Sequence, residues 1–221
     1  MELASGMPPD EPTTAGVDPS VTSLREAAGF GAYRLLVAAA GQSLPFADGA
    51  IASPFSNSVL EHIPPLQEVL NELGRVVRRG GKLVFTVPNP GYLEYLSLCR
   101  WPARLGLPGV GSAYAEWFRV VTRTVNLEWE GQWQARLARA GFTLRRSMRY
   151  FPPRALRALE WGHYFGLASL VARKLTGRWI LMPNRFNLGL TELSVRRYYR
   201  EPLAGDGTYT LYIAIRSGRL H

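Results

Sequence analysis

At 221 residues the chain is long enough for one α/β domain with a buried core, and 47% hydrophobic against 19% charged residues is ordinary globular composition. A single cysteine, Cys99, excludes an internal disulfide and a cysteine-based metal cluster. The net charge of +9 suits a phosphate, nucleic-acid or anionic-lipid partner, but nearly all the basic residues are arginine (Lys82 and Lys174 excepted), a bias that a GC-rich coding sequence also produces.

The opening Met1 to Thr14 carries acids and prolines where a signal peptide needs a basic start and an apolar run. No apolar stretch reaches the ~18 residues of a membrane span. The expected location is cytoplasmic, with surface association as the nearest alternative. Ala15-Gly16-Val17 reads as a short strand that must stop at Asp18-Pro19-Ser20, because proline cannot donate to a ladder. Residues 21–29 suit a short helix, and Tyr33 to Ala39 a second buried strand. Gln42 to Gly49 is a loop, with Pro45 and Asp48-Gly49 as turn signals, and Ile51 to Ser56 a third strand.

Pro64-Pro65 marks a helix start, and Leu66, Val69, Leu70, Leu73, Val76 and Val77 then recur at helical spacing. Arg78 and Arg79 are assigned to its last turn, where cations suit the helix dipole, and Gly80-Gly81 stops it. Lys82 to Val87 follows as a strand, so strand, helix and strand form a βαβ unit with parallel strands. Residues 90–130 read as irregular. Gln132 to Ala140 is helical with Gly141 as its cap, and Phe142 to Tyr150 is a strand. Residues 152–200 form a basic, aromatic, helical insert or cap. In the tail, Tyr209, Leu211, Ile213 and Ile215 share one face of a strand with unlike faces, suited to an antiparallel edge.

Three segments carry a resemblance when taken in order: Leu44-Pro45-Phe46-Ala47-Asp48-Gly49, then Val59-Leu60-Glu61-His62, then Arg75-Val76-Val77-Arg78-Arg79-Gly80-Gly81. Together they resemble the class I S-adenosylmethionine-dependent methyltransferases of the type 11 sort, over roughly residues 15–150 and the final strand. The resemblance implies a Rossmann-like α/β fold, mostly parallel with an antiparallel C-terminal strand. It implies S-adenosylmethionine as cofactor and a small-molecule or lipid-like methyl acceptor. It also places the cofactor against Asp18, Pro19, Ser20, Gln42, Ser43, Leu44, Ser56 and Asn57.

In such a site Asp18 accepts hydrogen bonds from the ribose hydroxyls, since a carboxylate is acceptor-only and takes both donors. As residues alone, Asp18 reads first as a turn or helix-cap acid. Leu44-Pro45-Phe46 would form the adenine wall with backbone donors, or a simple turn with a core leucine. Ser56 and Asn57 fall at the carboxyl end of a strand, where open α/β sheets bind ligands. Catalytic candidates are Asn57 and His62, although His62 and Glu61 also read as helix-start residues packing on the loop. Three departures from the family stand out: Ala40 replaces an acid before the leucine, Ile51-Ala52 replaces Phe-Asp, and Pro54 sits inside a strand.

No G-x-G-x-G turn precedes Asp18. That turn closes the family's first strand, which lies at the sheet centre between the second and fourth. The expectation is one methyltransferase domain over 1–221 that lacks its first strand, with the reading frame beginning too late. Its loss would leave two strands with no partner on one side. The acceptor site is expected from Asn89 to Tyr95 and the 152–200 insert, which is also the candidate for peripheral membrane contact. Nucleic acid is not favoured, no metal is expected, and the oligomeric state is left open. The competing readings are a non-catalytic remnant acting as a binding protein and a basic membrane-surface protein.

Overall fold

The computed structural model describes residues 13–104, 108–161 and 205–217, with isolated positions between 174 and 198. The elements in chain order are β1 (Thr13–Asp18), α1 (Val21–Ala28), β2 (Tyr33–Ala38), β3 (Phe55–Asn57), a 3-10 turn (Leu60–His62), α2 (Leu66–Val76), β4 (Lys82–Pro88), α3 (Gly91–Glu94), α4 (Ser97–Arg104), α5 (Pro108–Val121), α6 (Glu130–Arg139), β5 (Phe142–Tyr150), α7 (Pro153–Trp161) and β6 (Tyr209–Arg216). Most of the 152–200 insert beyond α7 lies outside the described residues.

The strands form two sheets, a parallel pair β1-β2 and a four-stranded sheet in the order β3-β4-β6-β5. The Lys82 amide donates to the Ala52 carbonyl and Val84 to Pro54, a rising register that makes β3 and β4 parallel. β6 is antiparallel to β4, because Gly80 bonds to Arg216 while Asn89 bonds to Thr208. It is antiparallel to β5 as well, through Ser217 to Gly141 and Thr208 to Phe151. The fold is therefore α/β and Rossmann-like, with an antiparallel C-terminal strand. Among the described residues β1 pairs only with β2 and β3 only with β4, which leaves a break between the two sheets.

Two compact units interleave along the chain. The first comprises residues 1–85, 130–146 and 212–221. Its core follows from α2, which buries Leu66, Val69, Leu70 and Val76 at the expected spacing. Phe85, Trp133 and Tyr212 pack with ring centroids 5.0–6.0 Å apart. α2 lies so close to the α6–β5 turn that a Cβ on Gly74 would sit 2.3 Å from the Ala140 carbonyl oxygen. Arg216 fastens the same corner, with Nε donating to the Gly74 carbonyl at 2.6 Å and a terminal nitrogen donating to Gly141 at 2.7 Å. α2 stops at Val76, so Arg78 and Arg79 stand in the exposed turn after it and not in its last helical turn. Gly80 allows that turn with φ +75°.

The second unit comprises residues 86–129 and 147–211. Its core is Tyr92, Leu96, Phe118 and Leu156, bordered by Tyr95, Cys99, Tyr114, Phe151 and Tyr209. Residues 90–130, expected to be irregular, contain α3, α4 and α5. Cys99 donates its Sγ hydrogen to the Gly111 carbonyl at 3.4 Å, and a Cβ on Gly111 would lie 2.6 Å from the Cys99 oxygen, so glycine is what lets α4 and α5 meet. β6 lies between β4 and β5 and not at an edge, because both of its sides carry ladder bonds; along it the alternation holds, and the more deeply buried face is Thr210, Tyr212 and Ala214.

Candidate functional site

Asp18 is the last residue of β1 and is half-buried. Its Oδ1 accepts the Ser20 amide at 2.7 Å, and Ser20 in turn caps α1 by accepting from the Ser23 amide at 3.2 Å. Asp18 thus does serve the turn, through one oxygen. Oδ2 makes no hydrogen bond among the described residues, which leaves an acceptor at the strand tip. Pro19 and Ser20 are exposed beside it. β1 and β2 are parallel neighbours, with Asp18 paired to Ala38, so Asp18 and the loop after β2 open at the same sheet edge.

That loop is tied to α2. The Leu44 amide donates to Glu72 Oε1 at 2.8 Å. Arg75 donates to the Leu44 carbonyl at 3.0 Å, to the Phe46 carbonyl at 2.9 Å and to Asp48 at 2.7 Å, while pairing with Glu72 at 2.7 Å. The Arg75 guanidinium beside Glu72 holds its carboxyl below the usual carboxylate range. The leucine motif is therefore scaffolding bolted to the first arginine of the third motif. Gln42 and Ser43 remain exposed at the loop's start.

Ser56 and Asn57 are half-buried in β3. Pro54 interrupts this strand. Its carbonyl faces β4, so the N–H it lacks is a donor to β4 and not to the vacant side. The cost is one ladder bond, and the strand is reduced to Phe55–Asn57 plus a bridge at Ile51. His62 is exposed, with Nε2 3.8 Å from Glu61 Oε1.

Glu61 is the residue that spacing undervalued. It is 2% exposed, Oε2 has no hydrogen-bond partner, and burial pushes its carboxyl up to about 7. Its neighbour in sequence gave no sign of this, since an acid before a histidine reads the same whether or not the chain covers it. Asn89, expected at the acceptor, is buried and committed. Its side-chain nitrogen donates to the Gly207 carbonyl at 2.8 Å and Thr210 Oγ1 at 3.2 Å, and its oxygen accepts the Gly91 amide at 3.0 Å.

These residues fit S-adenosylmethionine in part. Asp18 Oδ2 suits the ribose, but the Leu44 amide is already used by Glu72. Among the described residues no glycine-rich turn faces the methionine end. No group of histidine, cysteine and acids able to hold a metal occurs among the described residues. No helix among them is long and apolar enough to cross a membrane.

A family model described as a methyltransferase domain matches residues 6–85. An uncharacterized methyltransferase of Mycobacterium sp. (strain JLS) is 38% identical over 71 residues, 32% of this chain and 28% of that protein. The match thus spans little more than a quarter of that relative's length. Among solved structures, a SAM-dependent methyltransferase from Thermotoga maritima superposes with a TM-score of 0.53 at 12% identity, covering 92% of this chain and 73% of that one. The [4+2]-cyclase SpnF superposes with a TM-score of 0.50 at 18% identity, covering 99% and 71%. Both likenesses concern the fold. Residues 6–85 carry the methyltransferase-domain signature, and the chain has the Rossmann-like fold of the class I S-adenosylmethionine-dependent methyltransferases.

Proposed function

We propose that the protein is an S-adenosylmethionine-dependent methyltransferase acting on a small-molecule or lipid-like acceptor. The observation that carries the reading is Asp18, a carboxylate ending a strand parallel to its neighbour, with one oxygen on the turn and the other open. Asp18 would hold the ribose, Pro19 and Ser20 would shape the turn around it, and Gln42, Ser43 and Leu44 would flank the adenine. Ser56 and Asn57 would lie toward the methionine end. The cofactor supplies a methyl group on an activated sulfonium, so the protein's task is alignment and exclusion of water. A base is needed only for an acceptor such as a hydroxyl. Asn57 and His62 remain the candidates from sequence.

The break between the sheets is read as the seat of a strand and glycine-rich turn encoded ahead of Met1. Val17 in β1, Phe55 in β3 and Val59 after it are exposed apolar side chains on the elements that border the break. Translation of the DNA upstream tests this directly. A stop codon with no strand-plus-glycine sequence before it sinks the idea.

Calorimetric titration with S-adenosylmethionine, on the chain as given and on an upstream-extended form, tests the activity class. Binding that weakens about 10–100-fold in Asp18→Ala supports the reading. A second reading, a non-catalytic binding protein, is favoured by the Leu44 amide being spent on Glu72. Absence of binding by both forms would select it. Peripheral membrane contact through residues 152–200 and a cytoplasmic location accompany the first reading as proposals, and nucleic acid is not among the expected partners.

A further inference from the structure

Within the second unit, Ser97, Arg100, Trp101, Arg157 and Trp161 line a pocket of about 340 Å³. That is at the small end of the ~300–1,000 Å³ of ligand sites. Two helices supply the walls in the same way. Arg100 and Trp101 follow Ser97 by three and four residues on α4, so they share a face. Arg157 and Trp161 are four apart on α7 and share a face there.

A buried acid holds the walls in register. Glu160 is 1% exposed and accepts from the Ser97 amide at 2.8 Å, from the Ser97 hydroxyl, and from the Tyr114 hydroxyl at 2.9 Å. The Ser97 hydroxyl meanwhile accepts the Trp161 indole N–H at 2.6 Å. The start of α4, the body of α5 and the end of α7 therefore meet on one carboxylate. Trp161 has spent its polar atom and offers the pocket a ring.

The lining carries two guanidiniums and no acid. Among the described residues neither arginine makes a salt bridge, and Arg100 lies 5.5 Å from the centre of the Tyr95 ring. Glu160, the acid that ties these helices together, is buried and occupied by its donors. Trp101 and Trp161 are 66% and 55% exposed, a large apolar outlay at a surface. A guanidinium matches an oxyanion through paired N–H donors, and an indole matches a flat apolar body.

We propose that this pocket binds a small oxyanion, carboxylate or phosphate ester, that carries a flat apolar body. Arg100 and Arg157 take the anion, and Trp101 and Trp161 take the body. The assignment concerns binding alone and goes beyond methyl transfer, so it stands or falls without S-adenosylmethionine present.

Calorimetry on the full chain without cofactor tests it, using 1-naphthoate, 1-naphthyl phosphate and the neutral 1-naphthylmethanol as probes. Either anion, or both, should bind, and the tighter of the two identifies the head group. Arg100→Gln and Arg157→Gln should each weaken that anion about tenfold, and Trp101→Ala about three- to tenfold, with unchanged circular dichroism. Equal binding of the neutral alcohol overturns the proposal, as does affinity unaltered in both arginine variants. Retention on anionic phospholipid vesicles without binding of any naphthyl probe overturns it too and makes the arginines part of a membrane surface.

Discussion

Glu61 shows how much one side chain can hide from spacing. Burial raises its carboxyl from 4.5 to about 7, with the exposed His62 imidazole 3.8 Å away. A group with a raised folded value stabilises the fold least where it is forced to ionise. The penalty is absent below about pH 4.5, grows as pH rises, and is complete just above 7. We expect wild-type stability to fall across that window and Glu61→Gln to remove most of the fall, gaining up to about 3 kcal/mol at pH 8. Urea midpoints from pH 4.5 to 8.5 read this, and parallel curves for the two proteins would refute it. From sequence, Glu61 and His62 looked alike; the fold separates them, with one sealed and the other in water. Asp18 is the opposite case, since the turn reading holds through one oxygen while the other oxygen is left to the proposed ribose contact.

Among the elements, α2 was legible because six apolar residues recur at its period, and the structure buries most of them. Its end was not, because arginines suit a last helical turn and an exposed turn equally well. The helices α3, α4 and α5 were missed for a physical reason. Pro90, Gly91, Pro102, Pro108, Gly109 and Gly111 punctuate the segment, and such residues read as loop unless packing demands them. Gly111 is demanded, by the Cys99 carbonyl against which α5 rests. Gly74 shows the same dependence on α2, where the added methyl of Gly74→Ala would run into the Ala140 carbonyl. That variant should lose roughly 1–3 kcal/mol, read as a lower thermal midpoint. Gly109→Ala, where a Cβ meets nothing, serves as its control and should leave the midpoint unchanged within error.

For the whole molecule, the α/β class was the most legible feature, and the antiparallel C-terminal strand came with it. The described strands form a parallel pair and a separate sheet of four. The methyltransferase-domain match ends at residue 85, and beyond it periodicity alone located α6, β5 and β6. The interior of the second unit stayed illegible, because a buried carboxylate gathering Ser97 and Tyr114 across more than forty residues leaves no local pattern.

The lone thiol has a practical consequence. Burial raises Cys99 to about 11, so at pH 8 only about one molecule in a thousand carries a thiolate while folded. Cys99 is half-buried with its Sγ hydrogen on the Gly111 carbonyl, so labelling is slowed in the fold and Cys99 becomes a stopwatch wired into the second unit. Ellman's reagent should react slowly with the folded chain, then jump to the speed of a free thiol in urea. Immediate reaction of the folded chain would mean that this corner is never truly shut.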